Sequence, residues 1–171
     1  DLAVLGSGSV NVGAGRSATW NGLVTDGDGP GTLQVTGGGL FTLTNINNTY
    51  SGGTLVAGGS TVSVASDSAL GLATGAVTIG DASSTGTLGL TTTGAFASSR
   101  GITLGAAGGT VDTSIATDAT LSGVVDGAGG LTKTGAGTLT LDGTNTFGGG
   151  LSILAGTVNV AADANLGGGG A

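Results

Sequence analysis

The stretch most suggestive of chemistry is GAGGLTKT, residues 127–134. A phosphate-cradling loop reads G-x-x-x-x-G-K-[ST], with backbone N–H groups around the phosphates and a lysine reaching them. Gly127, Lys133 and Thr134 stand at the right distances, but Thr132 occupies the place of the second glycine. Such a loop also needs a strand before it and a helix after it. Here the next residues are TGAGTLTL, a glycine corner and then a strand. Nucleotide binding is therefore not expected. Gly127, Gly129 and Gly130 read as a turn, with Lys133 projecting outward.

The next candidate is DGDGPG at 26–31. Asp26 and Asp28 are spaced like the first two ligands of a calcium loop, with Gly31 at the sharp-turn position. Pro30 takes a place that normally holds Asp or Asn, and no Glu comes after it. The stretch reads as a turn in which aspartate accepts backbone hydrogen bonds. Paired carboxylates could hydrolyse a glycan, as in a glycan-processing β-helix enzyme, if they lay about 5–9.5 Å apart. Asp112 and Asp118 are the closest acidic pair outside the DGDGPG turn, and their spacing follows turns, not a motif. With no His, Cys or Glu and only Arg16, Arg100 and Lys133 as bases, acid–base and nucleophilic options are poor. No catalytic, cofactor-binding or metal-ligating residue is assigned, no cofactor is expected, and the chain is not read as an enzyme.

The elements around these stretches are strands. Among 171 residues there are 40 glycines and one proline, and charged residues make up 8%. Glu, Lys, Met and Arg, which favour helices, are nearly gone, leaving Thr, Val and Leu with Gly, Asn and Asp for turns. A hydrophobic content of 38% argues against disorder. A net charge of −7 disfavours nucleic acid and anionic membrane surfaces as partners. No run of about 18 apolar residues is present. No signal peptide is visible, and no cysteine is available for a disulfide framework. The abrupt DLAVLG start and GGGGA finish read as cuts inside a longer protein, expected to leave unpaired rung edges that associate end to end.

Alternation with period two recurs in Ser9–Val12, Thr61–Val64, Ala76–Ile79, Ile102–Leu104, Thr138–Leu141 and Thr157–Val160. The chain also repeats itself. Asn48-Thr49-Tyr50 aligns with Asn145-Thr146-Phe147, Thr61–Val64 with Thr157–Val160, Leu70-Gly71 with Leu166-Gly167, and Ala18–Val24 with Ala119–Val125. The unit is roughly 100 residues, with copies near 18–71 and 119–167 inside a single domain, residues 1–171. Short strands with frequent glycine corners fit a parallel β-solenoid better than a sandwich, which prefers longer strands joined by hairpins. At about 20–25 residues per coil the chain makes roughly seven to eight coils. The recurring Asn48 and Asn145 read as corner residues, and Tyr50, Phe147 and Trp20 as core. Thr-x-Thr pairs (42 with 44, 132 with 134, 138 with 140) could order ice on a flat solenoid, but they do not recur at a constant interval.

The stretch GAGGLTKTGAGTLTLDGTNTFGGG, followed by a segment of the form L-x-I-x-A-G-T-V-x-V, resembles the passenger-associated repeat of bacterial autotransporters. That repeat runs G-x-G-x-L-x-K-x-G-x-G-T-L-T-L-x-G-x-N-T-Y-x-G-G-T. Residues 127–160 match it, with Phe147 where Tyr is usual and Leu151 where Thr is usual. Residues 29–64 match it less closely, with Val35 in place of the lysine. The resemblance implies an all-β, right-handed parallel β-helix, exported through a C-terminal outer-membrane β-barrel in the parent protein and displayed on the bacterial surface or released. It implies a structural stalk in an adhesin, or alternatively a surface that adheres directly or self-associates. The expected partners are host surface, extracellular matrix or another copy of the chain, with no nucleic acid and no small-molecule substrate.

Overall fold

A computed structural model of the chain describes residues 1–113 and 118–168, so the GGGGA finish lies partly outside the described residues. The fold is a β-solenoid of about seven turns, in which every strand pairs in parallel with a strand one coil away. The first face is a seven-stranded sheet. Its strands are Ser17–Trp20, Leu40–Leu43, Thr61–Val64, Gly86–Leu90, Gly109–Asp112, Leu131–Thr134 and Leu151–Ile153. The second face has six strands: Ser7–Asn11, Thr32–Thr36, Thr54–Val56, Val77–Ile79, Ile102–Leu104 and Val125–Gly127. The third side is mixed. Leu2–Val4 pairs with Val24–Asp26, and Phe96–Ser98, Ala119–Leu121, Thr138–Leu141 and Thr157–Val160 form a four-stranded sheet. Two 3-10 turns, Asp67–Leu70 and Asp163–Asn165, are the helical elements among the described residues.

Alternation explains the core. In a parallel stack each side chain sits above its register partner, so inward residues form columns. One column on the second face is Leu33, Thr54, Val77, Ile102 and Val125; the next is Val10, Val35, Val56, Ile79 and Leu104. On the first face the inward column runs Ala18, Phe41, Val62, Leu88, Val111, Lys133 and Ile153. Lys133 therefore does not project outward; the alternation of its strand turns it inward with Leu131. It is fully buried, in a column otherwise made of apolar residues.

The step from one strand to its partner on the first face varies from 20 residues (Thr132 to Ser152) to 26 (Thr61 to Thr87). The corners absorb the difference, and the register of the strands stays intact. Outward residues consequently align in columns although their sequence intervals are irregular.

Candidate functional site

The GAGGLTKT stretch is a corner followed by a strand. Gly127 (φ +107°) closes one second-face strand, and Leu131–Thr134 is the next strand on the first face. Inside the core, the Lys133 ammonium donates to the carbonyls of Thr134 (2.6 Å), Gly135 (2.8 Å) and Ala155 (3.2 Å). Its three donors thus meet three acceptors, which is how a charge can be held in an apolar column. Burial lowers the lysine pKa, and the nearby Asp112 carboxylate partly opposes that. A lysine committed in this way cannot reach a phosphate outside.

Arg100 is used similarly and on a larger scale. Its side chain is 1% exposed, and its Nε and Nη2 donate to Asp67 Oδ1 (2.7 Å) and Oδ2 (2.8 Å). Its other donors go to the carbonyls of Gly75 (2.8 Å), Asp67 (3.0 Å), Leu70 (3.2 Å), Leu72 and Gly71 (both 3.3 Å). A planar fork can gather the inward carbonyls of a 3-10 turn and the loop after it, where a point charge could not. Burial pushes the Asp67 carboxyl up. Hydrogen bonds from Arg100 and Ser98 and the Arg100 charge outweigh it, leaving the pKa lowered.

The repeated asparagines are staples between coils. Asn48 Oδ1 accepts from the Val24 N–H (2.9 Å) in the preceding coil, and its Nδ2 donates to Ala69 O (2.8 Å) in the next. Asn145 does the same with the Val125 N–H (2.8 Å) and Asn165 O (2.6 Å). Beside each lies an aromatic ring at 0% exposure, Tyr50 or Phe147. Each ring is followed one coil later by a glycine at φ +79°, Gly71 or Gly167. A Cβ there would lie 2.4 Å from Tyr50 O or 2.8 Å from Phe147 O, so glycine is required by both conformation and space. Burial raises the Tyr50 pKa to about 12, and its hydroxyl pairs with Thr54 Oγ1 at 2.7 Å. Trp20 packs against the core from a half-buried position.

The acidic candidates serve turns. Asp26 Oδ1 accepts from the Gly31 N–H (2.7 Å) and the Ser51 N–H (2.9 Å), and Oδ2 from the Ser51 hydroxyl (2.6 Å). The Ser51 hydroxyl first, then those two amides, hold its pKa below the ordinary value. Asp28 points into solvent. Asp81 accepts from the amides of Ser83 (2.8 Å) and Ser84 (2.7 Å), and the Ser83 amide leads the set of bonds that lowers its pKa to about 2. Asp112 lies on the first face, accepting from the Thr134 hydroxyl at 2.8 Å. Asp118 stands just before a strand of the third side. No three His, Cys, Asp or Glu side chains converge among the described residues.

What remains outside is a hydroxyl-rich face. Thr61, Thr87, Thr110, Thr132 and Ser152 stand in one outward register column on the first face. Alongside the last three lies an open cleft of about 270 Å³, with Gly109, Gly130 and Gly150 in its lining. Sequence reasoning missed this column, because the irregular intervals hide it until the register is known.

Two stretches of the chain, 33–64 and 131–160, match the family model described as passenger-associated-transport-repeat. Each contains one asparagine staple and its aromatic ring. The chain thus carries two copies of this passenger-associated repeat. It is similar to the adhesin BmaC autotransporter of Brucella suis biovar 1 (strain 1330), with 40% identity over 153 residues. That alignment covers 84% of this chain and 4% of the relative, so the chain spans a small part of the length of the protein it matches. No solved structure matches the chain.

Proposed function

We propose that the chain is a stalk section of a surface-exposed or secreted adhesin: a non-enzymatic β-solenoid that holds other parts of its protein away from the cell. One observation carries this reading. The side chains best equipped for chemistry are turned inward or tied to turns: Lys133, Arg100, Asp67, Asp26, Asp81, Asn48 and Asn145. They stiffen a rod whose coils contact only their neighbours. The similarity to an autotransporter adhesin supports anchorage through an outer-membrane barrel in the parent protein, and contact with host surface or matrix through that protein as a whole. The two staple-and-ring units also read as equivalent points of one super-repeat in a single domain.

A second reading, that the solenoid face itself adheres or self-associates, is favoured by the outward hydroxyl column and by the low charge, which limits repulsion between facing stems. The test is to display the parent protein on bacteria with residues 1–171 replaced by an unrelated β-helix of equal length. Under the stalk reading, adhesion and cell clumping survive. If either is lost while display is unchanged, the stalk reading fails and the face is the binding surface.

A further inference from the structure

We propose that the cleft on the first face binds a neutral linear polysaccharide, laid along the solenoid axis across Thr110, Thr132 and Ser152. This goes beyond the stalk role, since a rod can bear such a contact without ceasing to be a spacer. None of these three hydroxyls forms a hydrogen bond within the described chain, whereas those of Thr32, Thr44 and Thr113 are committed to backbone carbonyls. Each free hydroxyl is at once donor and acceptor, as a sugar hydroxyl is. Register places them one per rung, about 4.8 Å apart. An extended ligand with a short repeat and hydroxyls on every unit can meet successive rungs. Among the glycines of the lining, Gly150 has open space where a Cβ would stand, which leaves room for a ring to approach the backbone there.

Charge decides between ligand classes. No residue lining the cleft is charged. Lys133 lies on the strand that lines the cleft but keeps its ammonium inside, and the Asp112 carboxylate sits in the neighbouring outward column and would repel an anion. Phosphate, sulfate and uronate polymers are therefore disfavoured. A peptide strand has nothing to pair with, because the backbone here is used rung to rung: Gly109 N–H to Gly130 O (3.0 Å) and Leu131 N–H to Gly150 O (2.9 Å). An ice lattice needs a second regular column, and the neighbouring one is broken by Gly89 and Asp112.

The test is an amide-shift titration of the isotopically labelled 171-residue chain with cello-, chito- and laminari-oligosaccharides. Polygalacturonate and an unstructured Ser/Gly peptide serve as charged and peptidic probes. The expected result is that at least one neutral oligosaccharide shifts Gly109, Gly130, Leu131 and Gly150 together, with no dependence on salt. The Thr110→Val/Thr132→Val/Ser152→Ala variant should bind about tenfold or more weakly, as expected for two or three lost hydrogen bonds. Thr78→Val/Thr103→Val, outward on the second face, should bind like the parent. Should the triple variant lose its dispersed spectrum, Thr132→Val alone supplies the comparison. The proposal is overturned if no neutral oligosaccharide moves these amides, if the shifts persist undiminished in the hydroxyl-free variant, or if polygalacturonate or the peptide occupies the same amides more tightly. These readouts are separate from the replacement experiment on cells, so either proposal can fail alone.

Discussion

Replacing Arg100 should destabilise this solenoid more than replacing any other charged residue, and the damage should be local. Arg100→Met keeps much of the apolar stem and removes the fork. The loss leaves the Asp67 carboxylate without its charge partner and the carbonyls of Leu70, Gly71 and Gly75 without their donor, while the Leu72 carbonyl keeps the Gly75 N–H. Breaking a buried pair by removing one partner costs about 3–5 kcal/mol, because the other group stays buried. Asp67→Asn should cost less, about 1–2 kcal/mol, since the Asp67 side chain is 22% exposed and water can reach it, and the guanidinium keeps its carbonyls. Arg100→Lys should resemble Arg100→Met more than the parent, because an ammonium cannot serve two edges of the same loop. Stability in a solenoid is a sum over neighbouring coils, so one global melting temperature is a poor readout. Native-state hydrogen exchange is the better assay. The amides of Leu72 and Gly75 should lose protection in Arg100→Met, while those of Leu139 and Leu141 keep theirs. The role given to Arg100 is refuted if Arg100→Met lies within about 1 kcal/mol of the parent, if Asp67→Asn costs as much, or if protection falls evenly along the rod.

Other buried groups lead to further expected outcomes. Asn48→Ala and Asn145→Ala should each cost about 2 kcal/mol in urea unfolding, since each strips a partner from a buried amide in one coil and a carbonyl in another. Lys133→Met should lower the urea midpoint by the equivalent of about 2 kcal/mol, because the Gly135 and Ala155 carbonyls lose their donor, the Thr134 carbonyl keeps Thr113, and the apolar column gains a fitting side chain. Acid should weaken the fold through Asp26, Asp67 and Asp81. Their folded pKa values are lowered, so their contribution is complete above the unfolded value near 3.8 and is lost as pH falls through the folded values, about 2 for Asp81. Urea midpoints measured down the acid range should show that decline. At high pH the sole tyrosine reports the opposite case. Tyr50 ionises at about 12 when folded, so its stabilisation is complete below the unfolded value near 10 and is lost as pH rises through about 12. Tyrosinate absorbance should appear with unfolding, and Tyr50→Phe should remove that dependence.

The strands were legible because period two is a direct image of a pleated, half-buried surface. Thr61–Val64, Ile102–Leu104, Thr138–Leu141 and Thr157–Val160 are strands as their alternation implies. The asparagine and aromatic corners were legible because the same pair occurs twice. The outward reading of Lys133 fails because pattern decides: in Leu131-Thr132-Lys133-Thr134, alternation puts the lysine on the side of Leu131. What the pattern cannot supply is the ring of carbonyls that makes the inward position tolerable. That ring exists only once the corner at Gly135 and the next coil's Ala155 are in place. The Arg100–Asp67 lock lies deeper still. Its partners are 33 residues apart with no motif between them. They meet because the step from Thr61 to Thr87 is the longest on its face and the extra length folds into a 3-10 turn and a loop, whose carbonyls face inward and need a donor. The hydroxyl column was hidden for the same reason. Coil length varies at the corners while register is held by the strands, so what stacks on the surface is set by pairing that sequence intervals do not display. In this chain Arg100, Lys133, Asp26 and Asp81 mark where the backbone would otherwise be left unsatisfied, and under the glycan proposal the free hydroxyls of Thr110, Thr132 and Ser152 mark where the rod touches something else.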